Sequence, residues 1–595
     1  MRTRIPRSAS VAGSTTLTPE AALRLAARAT GSPLPSSRVV VLGGGFAGVN
    51  TAQQLVKALR GKDDVEIELL SDTNYFVFQP LLPEVAAGGI APIHVVSPIR
   101  ELIVGAKFRL CRIRSVDAEN HRVLVTQGEG RALVSVRYDH LVFALGKVPN
   151  SRAFPGVAEH ALGLKNLGDA FRLRSHVLRS LELAAIQDDP AQRRALLTFV
   201  VAGAGFSGVE TTGELWELVM RALRYFPNID RREVHFVLAY SSNTVLPEMM
   251  SDLGQAAERV LRRRGIQLMP GVRVRAASRA RVFLSDGRVL ETRTFVSTVG
   301  NMPNPVARHA LSAQGFHEAE SDGRRLGTFA TDEQLRCVGR PGHWALGDCA
   351  GVPRAEGGLC PPTAQYAVRQ ARVCARNIAA TLEGRAPKPF RFRPLGSLAS
   401  LGQRRAVAQI PGVCLTGFFA WFLWRTIYLM KLPGLVRRLR VAFDWTLDLF
   451  FPRDITQLDV SRAERFSIEH YEPDENIVCA GEVGAEFYVI VSGVVEVLGA
   501  SGNEVIAELG PKDVFGERAL LDDTRRTASV RAKTAVDVLS MTRRDFRTLA
   551  EHLPALESYL EQLRVERNGS DNEPEPARER PRLENEPRVN PFEQR

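Results

Sequence analysis

Val39–Gly48, VVVLGGGFAG, and Phe199–Gly208, FVVAGAGFSG, are the two stretches that decide the fold of this 595-residue chain. In each stretch an apolar run predicts a strand, a Gly-x-Gly-x-x-Gly turn follows it, and a helical pattern comes next. Glycines at these spacings allow a tight turn and a close approach of the backbone to a pyrophosphate, which the N-terminus of the helix stabilises. The repeat predicts an α/β protein with two Rossmann-like dinucleotide-binding domains, and suggests electron transfer between two dinucleotides.

The composition narrows the classes of partner. A formal net charge of +12 predicts a basic surface, which suits acidic lipids or nucleotides. The sequence has no zinc-spaced Cys/His cluster and no recognition-helix signature, so we expect neither a metal site nor a nucleic-acid partner. The seven cysteines are scattered and include no Cys-x-x-Cys pair. This usage argues against a disulfide framework and a dithiol–flavin reductase, and indicates a reducing compartment.

Within the first unit, Val65–Leu70 is predicted as the second strand, where an acidic residue usually meets the ribose hydroxyls. Asp72 follows one residue beyond the expected place and is the candidate for this contact. The unit closes with an apolar strand that runs into Gly146. A later short strand delivers Gly347 and Asp348 together, where Asp348 is placed to accept a hydrogen bond from a ribityl hydroxyl.

The second unit has Val234–Ala239 as its second predicted strand. Tyr240 follows, at the place where an acid would select NAD. No arginine stands beside it to take a 2′-phosphate, so the pattern favours NAD over NADP.

Residues from about 38 to 455 resemble the type II NADH dehydrogenases, which are single-subunit, non-proton-pumping NADH:quinone oxidoreductases. The resemblance lies in the two glycine turns and in the stretches 74–82, 138–146, 347–348 and 361–370. It implies FAD in the first unit, NADH in the second, and a quinone that is reduced on the far side of the isoalloxazine ring. We also expect a homodimer, held on the cytoplasmic face of the bacterial inner membrane, with the mitochondrial inner membrane as the alternative.

Carried over residue by residue, the resemblance implies one set of positions for each cofactor. The FAD positions are Gly43, Gly45, Phe46, Ala47, Gly48, Asp72, Gly146, Gly347 and Asp348. The NADH positions are Gly203, Gly205 and Gly208.

Three further residues are predicted to be catalytic. Glu210 would lie close to the reacting rings; the alternative is a helix acid that the macrodipole favours. Gln365 is the first glutamine of the family's quinone motif, but Arg369 stands at the second position and Gln370 beside it. This departure puts the contact to the quinone headgroup in question.

The most apolar stretch of the chain is 413–430, which Arg425 interrupts. It is followed by 435–451, whose apolar residues recur at helical spacing and whose start carries a basic cluster. Trp421, Trp424 and Tyr428 are predicted to lie in the interfacial layer of a bilayer. An aromatic and basic helical pair of this kind predicts a monotopic contact with a membrane surface. A buried helical hairpin or a dimer interface is the alternative.

Residues 458–566 resemble a cyclic-nucleotide-binding domain of the β-roll type. The resemblance implies that Glu517 takes the ribose hydroxyl and Arg526 the cyclic phosphate of cAMP or cGMP. Gly516 and Thr527 belong to the same candidate site, Thr527 being typical of domains that prefer cGMP. The alternative is a degenerate β-roll that binds no ligand.

Together these predictions divide the chain into seven segments. They are a disordered extension (1–37), an FAD-binding domain (38–163) with its return part (305–400), an NADH-binding domain (164–304), membrane-contact helices (401–455), a cyclic-nucleotide-binding-like domain (458–566) and a disordered tail (567–595).

The predicted function is FAD-dependent transfer of two electrons from NADH to a membrane quinone without proton pumping, regulated by a cyclic nucleotide. One alternative is a sulfide:quinone oxidoreductase, for which Cys349 and Cys360 would be the redox cysteines. The other is a redox-responsive cyclic-nucleotide sensor.

Overall fold

The chain forms two compact units, residues 1–461 and 462–595, in a computed structural model. The structure describes residues 36–128, 132–150, 152–457, 467–482, 486–499, 504–516 and 526–542. The predicted tail and nearly all of the predicted N-terminal extension lie outside the described residues.

The first dinucleotide domain is built on a five-stranded parallel sheet. The order of its strands is His343–Ala345, His140–Phe143, Ser37–Leu42, Val65–Ser71 and Lys107–Leu110. The helices Phe46–Ala58 and Ala364–Leu382 pack against each other beside it. Because the strands His343–Ala345 and Ser37–Leu42 belong to one parallel sheet, the turn that carries Asp348 lies at the same end of that sheet as the first glycine turn.

The second dinucleotide domain has a four-stranded parallel sheet. Its strand order is Gln267–Pro270, His235–Tyr240, Thr198–Ala202 and Thr294–Ser297. The helices of this domain are Leu167–Ala185, Pro190–Leu196, Phe206–Ala222 and Ser251–Arg263. The predicted α/β class with two Rossmann-like domains is confirmed.

Smaller antiparallel elements complete these domains. Their strands include Tyr75–Val77 with Val96–Pro98, the meander Arg112–Asp117, Arg122–Gln127 and Ala132–Arg137, the pair Lys147–Pro149 and Asn301–Pro303, the meander Val274–Ala277, Arg281–Leu284 and Val289–Glu291, and the pair Glu318–Ser321 and Arg324–Ala330. The short helices include Leu82–Ala86, Ile99–Leu102, Val157–His160 and Pro305–Ala313.

The third glycine of each turn is required by sterics. A Cβ at Gly48 would lie 1.8 Å from the carbonyl oxygen of Gly43, and a Cβ at Gly208 would lie 1.8 Å from that of Gly203. The first glycines have φ angles of +109° and +102°, which L side chains rarely adopt. Both turns therefore depend on glycine at these positions.

The last part of the first unit differs from the sequence prediction. Residues 413–417, predicted within the apolar helix, form the third strand of the sheet Ser397–Ser400, Ala406–Ile410 and Val413–Gly417. The helix Phe418–Lys431 starts only after Gly417, whose φ is +76°. The helix Leu435–Phe450 follows. In the described part of the chain, no helix combines the length and apolarity that a membrane span requires.

The second unit contains two four-stranded antiparallel sheets among its described residues. One has the order Ser467–Tyr471, Val536–Thr542, Glu486–Ser492 and Val514–Phe515; the other has Asn476–Val478, Ser529–Ala532, Val495–Leu498 and Val505–Leu509. The turn predicted at Gly493 has a φ of +86°. Apolar side chains such as Tyr488, Ile490 and Val538 form a core between these strands.

Candidate active site

A cavity of about 850 Å³ lies at the carboxyl end of the first sheet. It is bounded by the first glycine turn, by the end of the second strand, and by the turn that follows His343–Ala345. The predicted FAD residues that line it are Gly43, Gly45, Phe46, Ala47, Asp72, Gly146, Gly347 and Asp348. Gly48 does not line the cavity, because it packs against the carbonyl of Gly43.

The first turn presents backbone donors to this cavity. Gly45 is the N-cap of the helix Phe46–Ala58, it has no side-chain cap, and a Cβ there would meet no atom within 4 Å. The first turn of the helix contains no acidic residue. The N–H groups at the N-terminus of a helix have no intrahelical partners, so this end suits a phosphate. The residues present therefore fit the pyrophosphate of FAD.

Asp348 lies on the opposite wall, close to two lysines. Burial raises the pKa of its carboxyl, while Lys165 and Lys147, which also line the cavity, lower it. The neighbouring Gly347 has a φ of +70°, and its N–H donates to the side-chain oxygen of Gln370 at 2.8 Å. Gln370 is only 2 % exposed. Gln370 thus fixes the turn that carries Asp348, and its predicted contact to quinone stays a prediction.

Gln365 lies on the same helix, between the cavity residues Ala364 and Ala367. Its side-chain amide donates to the carbonyl of Gly396 at 2.8 Å. One turn later, the guanidinium of Arg369 lies 4.5 Å from the ring centroid of Phe392. The helix therefore presents a glutamine and a cation where the family's motif has two glutamines.

The second glycine turn has the same form as the first. Gly205 is the N-cap of the helix Phe206–Ala222, and Glu248 is the nearest side chain to a Cβ placed there, at 3.6 Å. Tyr240, at the position that selects NAD, is 3 % exposed, and its hydroxyl donates to Glu258 at 3.5 Å. Glu248 was not predicted from the sequence, since it lies on a loop without regular spacing from the turn.

A chain of aromatic contacts leads from the cavity to Glu210. The ring of Phe46, which lines the cavity, lies 5.7 Å from that of Phe78, and Phe78 lies 6.0 Å from Tyr428. Tyr428 in turn contacts Trp424 with a centroid distance of 4.8 Å. The Nε1–H of Trp424 donates to Glu210 Oε1 at 3.3 Å. An apolar wall therefore joins the predicted flavin site to the predicted catalytic acid.

Glu210 is buried in the fifth position of its helix. Burial raises the pKa of its carboxyl to about 8, although the Ser400 N–H and Trp424 donate to it, and Glu214 and Glu84 raise it further. A helix macrodipole acting alone would lower the pKa of an acid near the N-terminus. Burial therefore outweighs the macrodipole in setting the pKa of Glu210, and its catalytic role stays a prediction.

A cluster of buried charges extends from Glu210 along the same helix, which we call the Glu214 cluster. Its members are Glu84, Glu214, Glu217, Arg425, Asp448 and Arg453. Sequence reasoning missed the cluster. Its signal was the spacing of Glu210, Glu214 and Glu217, which places three acids on one face of a largely buried helix.

The two cysteines of the sulfide alternative are free thiols in this structure. Cys349 is buried and lies 3.4 Å from the carbonyl oxygen of Phe143, whereas Cys360 lies 3.9 Å from that of Pro353. Burial raises the pKa of both thiols to about 11. Since the thiolate is the reactive form, these cysteines are poorly suited to redox chemistry.

The candidate nucleotide site of the second unit centres on Arg526. Its guanidinium donates to the carbonyls of Gly516 at 2.8 Å and Glu486 at 2.6 Å, and Gly516 has a φ of +87°. Thr527, next to it, is exposed. Two of the predicted residues, Gly516 and Arg526, are therefore in contact, while Glu517 lies outside the described residues.

Three known family models match parts of this chain. Residues 37–371 match the pyridine nucleotide-disulphide oxidoreductase family, and residues 395–454 match the NDH2 C-terminal domain. Residues 468–552 match the cyclic nucleotide-binding domain.

Among similar proteins is the type II NADH:quinone oxidoreductase Ndh of Mycobacterium tuberculosis, which is 32% identical over 454 residues and covers 74% of this chain and 93% of the relative. The demethylphylloquinone reductase NdbB of Synechocystis is 30% identical and covers 69% of this chain and 95% of the relative.

A solved structure of NDH2 from Plasmodium falciparum in complex with NADH shares the fold, with a TM-score of 0.64, 18% identity, and coverage of 71% of this chain and 99% of that one. The sulfide:quinone oxidoreductase of Aquifex aeolicus superposes less well, with a TM-score of 0.52 at 18% identity and coverage of 72% and 100%. On the geometry and these relationships, the chain belongs to the type II NADH:quinone oxidoreductase family and carries a C-terminal domain of the cyclic nucleotide-binding family.

Proposed function

We propose that this enzyme transfers two electrons from NADH to a membrane quinone, with FAD as its resident cofactor and without proton pumping. The net reaction is NADH + H⁺ + quinone → NAD⁺ + quinol. The observation that carries the proposal is the cavity that joins the first glycine turn, the Asp348 turn and the Gln365 helix. FAD bound there supplies the two-electron chemistry that no protein side chain provides.

The residues of this chain have separate tasks in that reaction. The first glycine turn holds the pyrophosphate of FAD through backbone N–H groups, and Asp72 and Asp348 accept hydrogen bonds from its ribose and ribityl hydroxyls. The second turn holds NADH in the same way. The buried Tyr240 itself offers no positive charge to a 2′-phosphate, which supports NADH over NADPH.

Gln365 and Arg369 are proposed to face the quinone, because they lie on the helix whose alanines line the cavity. Glu210 is proposed as the proton donor on this side. With its pKa raised to about 8, its carboxyl is largely protonated at neutral pH and can give up a proton when the acceptor gains electrons.

A membrane contact is proposed for the helices Phe418–Lys431 and Leu435–Phe450. Their exposed apolar residues are Phe418, Phe419, Phe422, Met430, Leu435, Val436, Leu439, Phe443, Leu447, Leu449 and Phe450. Trp421 and Trp424, which the sequence placed in the interfacial layer, are buried instead. A large exposed apolar surface with basic residues suits the headgroup region of a bilayer.

Two finer points are also proposed: the enzyme works on the cytoplasmic face of the bacterial inner membrane, where NADH is supplied, and it forms a homodimer. Fractionation of cells into membrane and soluble parts tests the first point. Light scattering of the detergent-solubilised protein tests the second, with a monomer mass as the contrary result.

The central experiment uses the purified full chain with its flavin. Anaerobic NADH should bleach the flavin absorbance and added quinone should restore it, whereas Asp348→Asn should lower the flavin content. Bleaching by sulfide but not by NADH would support the sulfide:quinone alternative instead. Bleaching by NADH without recovery with any quinone would support the redox sensor.

A second function is favoured by the contact between Arg526 and Gly516. A planar guanidinium in the phosphate position of this domain family suits a cyclic phosphate. We therefore propose that the second unit binds cAMP or cGMP and regulates the enzyme. Calorimetry with each nucleotide should show binding that Arg526→Leu abolishes, and saturating nucleotide should change the rate of NADH oxidation. Calorimetry without heat for either nucleotide would identify a β-roll that binds no cyclic nucleotide.

A further inference from the structure

Ser400 joins two buried carboxyls of the helix Phe206–Ala222. Its backbone N–H donates to Glu210 Oε1 at 3.1 Å, and its hydroxyl donates to Glu214 Oε1 at 3.3 Å. Ser400 ends the strand Ser397–Ser400, so its position is fixed by the sheet and not by a mobile loop. All three residues are less than 8 % exposed. Ser400 therefore forms hydrogen bonds to both Glu210 and Glu214.

Glu214 raises the pKa of Glu210, and Glu84 raises the pKa of both carboxyls. Burial raises the pKa of Glu214 to about 8, and its neighbours Glu217 and Glu84 raise it further, against the lowering effect of Arg453 and Arg425. Two like charges at close range cannot both form without a large cost, so such a pair retains a proton. The same logic holds for Glu210, whose pKa Glu214 raises.

The cation that contacts Glu214 is shared with other acids. Arg453 Nη1 lies 3.4 Å from Glu214 Oε2, but the same guanidinium lies 3.6 Å from Glu217 and 2.9 Å from Asp448. Arg453 is thus shared among three carboxyls, and Arg221 also pairs with two of them, Glu217 and Asp448, at 2.8 Å each. The other groups that act on the pair from the packed elements are Glu84, Arg264, Arg425 and Tyr428.

We propose that Glu210 and Glu214 form a coupled pair that keeps a proton inside the protein for the quinone, with Ser400 as the residue that links them and Glu214 as a positioning residue. The inference rests on the proposed quinone reduction and assigns residues to one proton of it. NADH supplies two electrons and one hydrogen nucleus as hydride, and the second proton of the quinol comes from water. The pair holds that proton between turnovers, and Glu210 delivers it.

The proposed pair predicts a specific change in the pH dependence of kcat for quinone reduction. When the second carboxyl is removed, the like charge beside Glu210 is lost, and Glu210 loses its proton at lower pH. In Glu214→Gln, the alkaline limb of kcat for quinone reduction should move down by about 1 pH unit. Ser400→Ala keeps the N–H that contacts Glu210 and removes only the hydroxyl that contacts Glu214. It should move the limb less, and it should leave flavin reduction by NADH unchanged.

Matched controls separate this role from a structural one. Ser180→Ala removes another buried hydroxyl, which lies on the helix Leu167–Ala185 and donates to the carbonyl of His176. Glu66→Gln neutralises a poorly exposed carboxylate that Arg38 and Lys107 pair on the first sheet. Both should leave the limb in place. A structural role for Glu214 would lower kcat equally at every pH, and a limb unmoved in Glu214→Gln would overturn the proposal.

A second readout does not require turnover. Infrared difference spectra of the oxidised holoenzyme between about pH 6 and about pH 9 should show a buried protonated carboxyl that loses its proton, since the pKa values lie near 8. Glu210→Gln and Glu214→Gln should each alter this band. If quinone reduction itself fails but the band behaves so, only the proposed function is wrong; if the band is the same in all variants, the pair is wrong.

Discussion

The side-chain oxygen of Gln370 accepts the N–H of Gly347 at 2.8 Å, and so joins the predicted quinone helix to the turn that carries Asp348. Replacement by leucine keeps the volume but leaves a buried N–H without an acceptor, which costs about 1–3 kcal/mol. We expect Gln370→Leu to purify with a lower flavin content and a weaker affinity for FAD, measured by titration of the stripped protein. Arg369→Leu, one residue earlier and partly exposed, is the control and should retain FAD.

The two glycine turns should fail independently. Gly208→Ala places a methyl group 1.8 Å from the carbonyl oxygen of Gly203, which forces the backbone of the second turn apart. We expect this variant to retain a full flavin spectrum and to lose bleaching by NADH at concentrations that saturate the wild type. Gly48→Ala should show the opposite pattern and purify without flavin. A Gly208→Ala enzyme with an unchanged KM for NADH would show that the second turn is not the NADH site.

Glu210 makes the stability of the first unit depend on pH. An unfolded glutamate ionises near 4.5, whereas the folded Glu210 keeps its proton up to about 8, so rising pH between these values favours the unfolded state. Stability should fall by about 5 kcal/mol across this window, and the midpoint of thermal unfolding should fall with it. Glu210→Gln should make the dependence less steep, with the remainder due to Glu214, and a slope identical to that of the wild type would contradict this assignment. Its kcat with quinone should fall about 100-fold.

Arg453 should be needed for folding as well as for charge balance. Burial alone would lower the pKa of its guanidinium, but the carboxylates of Glu214, Glu217 and Asp448 hold that pKa above its usual value. Arg453→Met removes the ion pair of Glu214 in the interior, whereas Arg221 still pairs with Glu217 and Asp448. Loss of a buried partner of this kind costs about 3–5 kcal/mol. Chemical denaturation of the holoenzyme should show this loss. The surface variant Arg232→Met, which removes an exposed ion pair with Asp230, should leave stability nearly unchanged.

Arg369 should influence the choice of quinone. Arg369→Gln restores the second glutamine of the family's motif and removes a cation from beside the ring of Phe392. We expect KM for short-chain ubiquinone and menaquinone analogues to change by several-fold and unequally, while KM for NADH stays the same. Arg372→Gln on the same helix is the matched control. Equal changes in KM for both quinones would show that Arg369 does not discriminate between the quinone headgroups.

The local signals in the sequence were sufficient for both dinucleotide folds. A buried parallel strand, a glycine turn and a helix are contiguous in the chain, so their pattern is visible without tertiary information. The cavity residues Asp72, Gly146 and Asp348 followed from the same units. The Glu214 cluster did not, because Arg453 and Asp448 lie more than 200 residues from Glu214 and only folding brings them together.

The apolar stretch 413–430 shows a second feature that could not be predicted from the sequence. Its first five residues pair with Ala406–Ile410 as a strand, although their composition continues smoothly into the helix. Hydrophobicity alone does not separate a short apolar strand from a helix, and the positive φ of Gly417 marks the change. Trp421 and Trp424 were misplaced for a similar reason, since the face that a helix buries depends on its neighbours.

Arg425 interrupts the most apolar stretch of the sequence, yet it adds little charge to the outer surface of the hairpin. Its guanidinium lies 4.1 Å from the ring centroid of Trp421 and 4.6 Å from that of Trp445, and it faces the acids Glu84 and Glu214. Arg425 is therefore a partly buried charge on the inner side of the helix Phe418–Lys431, whose other side carries the exposed Phe419 and Phe422. A hydropathy profile averages Arg425 with its apolar neighbours, so it underestimates the apolarity of the exposed face of this helix. A search for exposed apolar surfaces by composition alone would therefore miss this one.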